Sequence, residues 1–280
     1  MELYLEPILE TLTFALEQPE PFSFNSGFDL LELTFEQSEE ETAGLISRMA
    51  AFPGFLKAAL SRKYTRAEFD EFDIYGLVGK YLVGRNHPGL LGAFEAVNWD
   101  RVWEYWLLQD GFEAPILSLT KLLGRIVATN PQDPLSQSLL TEKRAQVCLK
   151  QAEKLVDQGK TSKALIFLHF IQISIEMAAS EVIGRFLAEP GYRNLNRLFD
   201  LVLGMGDDAN CVKALGLLES LLEFGAFYQG SARDNENWVA IELWQNADHM
   251  ESLEAMITGS NRPIARTAEA IFQQFFDYEA

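Results

Sequence analysis

The sequence predicts an all-α chain, an armadillo/HEAT-like right-handed α-solenoid running as a single domain over residues 1–280. Three observations predict it. Apolar residues recur at helical spacing in one short segment after another. Gly and Pro breaks separate these segments, and no hairpin signal interrupts them. Gly111 and Gly191 lie 80 residues apart, or two units of about forty, the length of one armadillo or HEAT repeat. The chain then holds about six or seven irregular repeats.

The elements follow in order. Leu5, Ile8, Leu9, Leu12 and Leu16 give a helix over Tyr4 to Leu16, stopped by Pro19 and Pro21. Phe28 to Phe35 is a second helix, with Leu31 and Phe35 at i, i+4. Leu45 to Phe52 and Phe55 to Leu60 are expected as separate helices, broken at Pro53-Gly54. Phe69 to Val83 is helical, weakened by Gly76 and Gly79. His87-Pro88-Gly89 is a turn. Leu90 to Leu108 is an aromatic-rich helix ended by Asp110-Gly111, and Ile116 to Val127 is a plain amphipathic one. Asn130 to Pro134 reads as loop, and Leu139 to Val156 as a longer helix ending at Gly159.

Ala164 to Met177 is apolar almost all round. Ile171, Ile173 and Ile175 alternate as in a strand, but the run is too long for a typical one, so a central buried helix is expected. Val182 to Leu187 is short and ends at Pro190-Gly191. Leu195, Leu198, Phe199, Val202 and Leu203 mark the next helix; Ala214, Leu217, Leu218, Leu221 and Leu222 repeat its pattern over Lys213 to Phe224. Residues 226–237 read as a polar loop. Met250 to Phe276 gives two helices joined at Thr258-Gly259-Ser260-Asn261, with Asn261 at an N-cap position and Pro263 tolerated in the first turn. Helices this short cannot bury their apolar faces alone, so the preceding helices must cover them.

The formal net charge is −18. Such acidity argues against nucleic-acid binding, which needs Lys and Arg for the phosphates, and suits basic partners. Eleven Asp or Glu and no Lys or Arg lie between Met1 and Glu41, a stretch read as a solvated face. Two cysteines that form no CxxC pair point to a reducing compartment. No apolar run approaches a membrane span, and no signal-peptide pattern opens the chain, so a nuclear and cytoplasmic protein is expected.

Motifs for chemistry are sparse. His87, His169 and His249 are far apart, and none has a neighbour at metal-ligand spacing. His169, inside the apolar run, is expected in the core. Gly204-Met205-Gly206-Asp207 follows a helix and reads as its terminator, not as a phosphate loop. No acid/base pair or nucleophile motif stands out, so no cofactor, metal or enzymatic activity is expected. The candidate recognition residues are Trp99, Trp103, Glu104, Trp106 and Asp110. The tryptophans fall at i, i+4, i+7 and share one helix face. Beside Glu104 and Asp110 they would make an aromatic, acidic groove for a Lys/Arg-rich peptide. The competing reading, and the favoured one, is a core stripe.

The last third of the chain resembles the importin-α family of nuclear import adaptors. That family's final repeat runs as I-E-A-L, a polar turn with Asn, then I-x-x-x-A-x-x-I-I-x-x-F-F. Here Leu253-Glu254-Ala255-Met256, Asn261, Ile264, Ala268, Ile271-Phe272 and Phe275-Phe276 match it. One repeat earlier, Ala214-Leu215, Leu218-Glu219, Leu221-Leu222 and Gly225 match A-L-x-x-L-E-x-I-L-x-x-G. Before that, Phe186-Leu187, Gly191 and Leu198-Phe199-Asp200-Leu201 fit the family's pattern.

The resemblance covers about residues 160–280, leaving 1–160 as divergent repeats. It implies an adaptor that binds basic localisation signals of cargo proteins through an acidic concave groove. It also implies a karyopherin-β type carrier or an export receptor as partner. The alternative is an armadillo scaffold or assembly chaperone without signal recognition; of two departures from the family the first favours it, and the second implies that the arm is absent or that another carrier is used. The family's W-x-x-x-N ladder is absent, its positions near residues 163–171 holding Phe167 and Ile171. The N-terminal segment is acidic where the family carries a basic arm.

Overall fold

The structure, a computed structural model, describes residues 2–17, 51–65, 68–69, 73–82, 94–107, 113–129, 131–188, 191–205, 208–228 and 237–276. Among these it is all-helical, with fourteen α-helices and one π-turn. It divides into two compact units, residues 1–139 and 140–280. No described helix is long and apolar enough to cross a membrane.

The first unit contains α1 (Glu2–Glu17), α2 (Phe52–Ser61), α3 (Ile74–Leu77) with the π-turn Val78–Leu82, α4 (Trp99–Leu107), α5 (Ala114–Thr129) and α6 (Pro134–Leu139). Helix α2 packs on α1, α3 and α4, and α5 packs on α3, α4 and α6. Pro53 lies in the first turn of α2, where its missing N–H breaks no helical bond, so the expected break at Pro53-Gly54 is instead a helix start. Pro134 opens α6 in the same way, within the segment expected to be loop.

The helix expected over Phe69 to Val83 is shorter. Asp73 caps α3 by accepting the Gly76 N–H at 2.9 Å, and the helix widens into the π-turn at Val78. Asn98 takes the Arg101 N–H at 3.1 Å, so α4 begins at Trp99, not at Leu90. The helix expected over Phe28 to Phe35 and the acidic run Glu39-Glu40-Glu41 lie outside the described residues, as do His87 and residues 90–93.

The second unit contains α7 (Glu142–Asp157), α8 (Thr161–Met177), α9 (Ser180–Ala188), α10 (Arg193–Leu203), α11 (Asp208–Phe227), α12 (Trp238–Gln245), α13 (Ala247–Thr258) and α14 (Arg262–Phe275). Thr141 caps α7 by accepting the Arg144 N–H, and Gly159, at φ 70°, turns the chain back after it. Residues 164–177 are helix, not strand. Helix α8 buries Ala164, Phe167, Leu168, Phe170, Ile171, Ile173 and Ile175 because neighbours cover it on more than one side.

Helices three apart in sequence pack on each other: α7 on α10 and α10 on α13, α8 on α11 and α11 on α14. Side-chain ties between such helices repeat at a sequence separation of 44 to 49. Arg197 grips Glu153 with two donors, joining α10 to α7. His249 Nε2 meets Asp200 Oδ1 at 2.7 Å, joining α13 to α10. Asn196 donates to Glu242 at 3.0 Å, joining α10 to α12.

Three sequence expectations change in this unit. His169 is exposed and His249 is the buried histidine, because His169 falls on the one side of α8 that its neighbours leave open. Helix α12 has no counterpart in the sequence reading; at eight residues it is too short to show a period, and its signal was Asn237, which caps it through the Ala240 N–H. The segment read as a polar loop from residue 226 begins inside α11; residues 229–236 lie outside the described residues. Asn261 holds the N-cap position of α14 as expected but makes no side-chain cap bond. Cys148 and Cys211 are both buried, and burial pushes the Cys148 thiol far above its usual range, outweighing the lowering by Arg144.

Gly225 has a packing reason. A Cβ there would lie 2.3 Å from Asn237 Oδ1 and 2.6 Å from Val239 Cβ. Those atoms start α12 and dock it on α11, with Asn237 Nδ2 donating to the Leu222 carbonyl at 2.8 Å. Gly225→Ala is therefore expected to cost about 1–3 kcal/mol by overpacking, read as a lower urea midpoint with an unchanged slope.

Candidate peptide-binding face

Of the five residues singled out in the sequence, the described tryptophans do not line a groove. Trp99, Trp103 and Trp106 are buried, Glu104 is exposed, and Asp110 lies outside the described residues. The i, i+4, i+7 stripe faces inward. Trp99 Nε1 donates to the Phe94 carbonyl at 3.0 Å, and Trp106 Nε1 to the Tyr75 hydroxyl at 2.7 Å. Phe69, Tyr75 and Tyr105 stand edge-on or tilted around Trp106, with Phe69 at a centroid distance of 5.5 Å. An indole face covered this way has no room for a lysine or arginine stem.

An open surface with polar side chains lies on α8 and α11. Leu165, His169, Gln172 and Glu176 fall at i, i+4, i+7, i+11 and form the open stripe of α8. Lys213, Gly216, Ser220 and Glu223 form the adjoining stripe of α11. The stripes are clasped at both ends. Asn210 Nδ2 reaches Thr161 Oγ1 at 3.1 Å and Ser162 Oγ at 3.2 Å. Gln172 Nε2 donates to Glu176 Oε1 at 3.0 Å and to Ser220 Oγ at 3.2 Å. The Ser220 hydroxyl turns its proton to Glu176 Oε1 at 2.9 Å or to the Gly216 carbonyl at 3.0 Å.

These bonds fix the Gln172 amide plane through its nitrogen. Its oxygen has no bond among the described residues and is left to accept. Gly216 opens space beside it: a Cβ there would touch nothing nearer than Gln172 Nε2 at 3.9 Å. Lys163, Lys213, Glu176 and Glu223 are exposed, so α8 and α11 carry both signs of charge. The sequence reading missed this site because its polar residues are single interruptions of two strongly apolar helices. The sequence cue was Gln172, the amide inside the apolar run of α8.

No protein-family model matches the chain, and no curated protein matches it in sequence.

Proposed function

We propose that the chain is a protein-binding scaffold whose residues 140–280 are armadillo-like repeats stacked as a right-handed α-solenoid. The observation that carries this reading is the repeating tie between helices three apart, at 44 to 49 residues. Such a step is what stacked three-helix repeats require. In this arrangement α8, α11 and α14 are equivalent helices, and their shared face receives an extended segment of a partner. The Gln172 amide oxygen pairs with a backbone N–H of that segment, a contact that is indifferent to side-chain sequence. Nothing in this role calls for catalysis.

A second reading, an importin-α-like adaptor for Lys/Arg-rich localisation signals, is supported by Glu176 and Glu223 on the same face and by the ordered resemblance of residues 160–280. A karyopherin-β type carrier or export receptor, and passage between nucleus and cytoplasm, belong to that reading. Two features favour the scaffold over it. The face offers no tryptophan slots for cation stems, and its acidic groups are interleaved with Lys163 and Lys213.

Pull-down with a Lys/Arg-rich signal peptide and an alanine-substituted control separates the two. The scaffold reading expects no preference between the peptides. Retention of the basic peptide alone, lost in Glu176→Gln/Glu223→Gln, overturns it in favour of the adaptor.

A further inference from the structure

In a chain of net charge −18, one cavity of the first unit is lined by cations and, among the described residues, by no acid. It holds about 410 Å³ between α2, the segment after it and α4. Lys57, Arg62, Lys63 and Arg101 converge on it, with Ser61 and Asn98 as neutral donors. Val102 and Trp106 give it a buried apolar floor, beside half-buried Tyr105.

One of the four cations is already matched. Arg62 donates to the Leu16 carbonyl at 2.9 Å and to Glu68 at 3.0 Å. Partial burial pushes the Glu68 carboxyl up, but the Thr65 N–H and the Arg62 guanidinium outweigh this and hold it below its usual range. Glu68 is thus an anion committed to Arg62.

The other three have no acidic partner among the described residues. Lys63 Nζ lies over the Tyr105 ring at 5.2 Å. Asn98 spends its oxygen on the Arg101 N–H at 3.1 Å and keeps its NH₂ as a donor. Three like charges held around one hollow repel each other and are relieved by an anion with several acceptor oxygens. A volume within the range of small-molecule pockets, over an aromatic floor, suits more than a bare ion.

We propose that this cavity binds a small phosphate-bearing molecule, its phosphate held by Lys57, Lys63 and Arg101 and its body lying along Val102 and the half-buried Tyr105 ring. The site is separate from the α8 and α11 face and does not depend on the function read there.

Isothermal titration of the full chain with inorganic pyrophosphate, with AMP and with a phosphoserine peptide tests it. The expected result is saturable binding of AMP or pyrophosphate, weakened by added salt and by about tenfold or more in Lys57→Glu/Arg101→Glu. Both substituted residues are exposed, so the thermal midpoint should hold; Lys57→Gln/Arg101→Gln is the substitute if it falls. No saturable binding of either small phosphate overturns the proposal, as does unchanged affinity in the double variant. Binding of the phosphoserine peptide alone also overturns it, since the cavity would then serve a protein partner.

Discussion

Replacing Trp106 by alanine is expected to destabilise the chain by about 3–5 kcal/mol, the cost of emptying a large buried aromatic site. Trp106 is 2 % exposed and lies among Phe69, Tyr75 and Tyr105. Its loss leaves a cavity and removes the donor to the Tyr75 hydroxyl, whose remaining contact is with the Leu60 carbonyl at 3.5 Å. Burial pushes the Tyr75 hydroxyl far above its usual titration range, so ionisation does not relieve the stranded group. Denaturant unfolding followed by hydrogen exchange checks this, with protection lost first in α3, α4 and α5. The opposite pattern, full stability with weakened peptide binding, is what a groove-lining tryptophan would give.

Phe199→Ala is expected to cost a similar amount, about 3–5 kcal/mol, in the second unit. Phe199 is fully buried on α10, and its ring meets the His249 imidazole of α13 edge-on at a centroid distance of 5.5 Å. His249 is itself buried and anchored to Asp200 through Nε2, with no partner for Nδ1 among the described residues. Truncating Phe199 removes the packing that holds the imidazole against α10, so the α10–α13 tie loosens together with the core. Hydrogen exchange should show α13 losing protection with α10. A loss confined to α10 would mean that the ring does not couple the two helices.

Much of the fold could be read from the residues because period and burial agree. In α5, α10 and α11 each apolar position named in the sequence is buried, and α8 is helical through a stretch whose isoleucines alternate as in a strand. Boundaries were harder where a proline starts a helix instead of ending one, as at Pro53 and Pro134, since the residue alone does not say on which side of a break it lies. Helix α12 was invisible because eight residues hold barely two turns. The candidate site was legible only as composition. An i, i+4, i+7 aromatic stripe looks the same whether it lines a groove or a core, and only the neighbours of Trp99, Trp103 and Trp106 decide which. Gln172 and Ser220 escaped notice because their pairing joins residues 48 apart.

The two buried thiols bear on how the protein meets oxidative stress. Cys148 and Cys211 are the only cysteines in the chain, and both are buried. A peroxide or a glutathione disulfide therefore finds no thiolate on the native surface. Neither sulfur can bridge to a neighbouring molecule while the helices stay packed. The face proposed on α8 and α11 thus presents no thiol to reducing or oxidising surroundings.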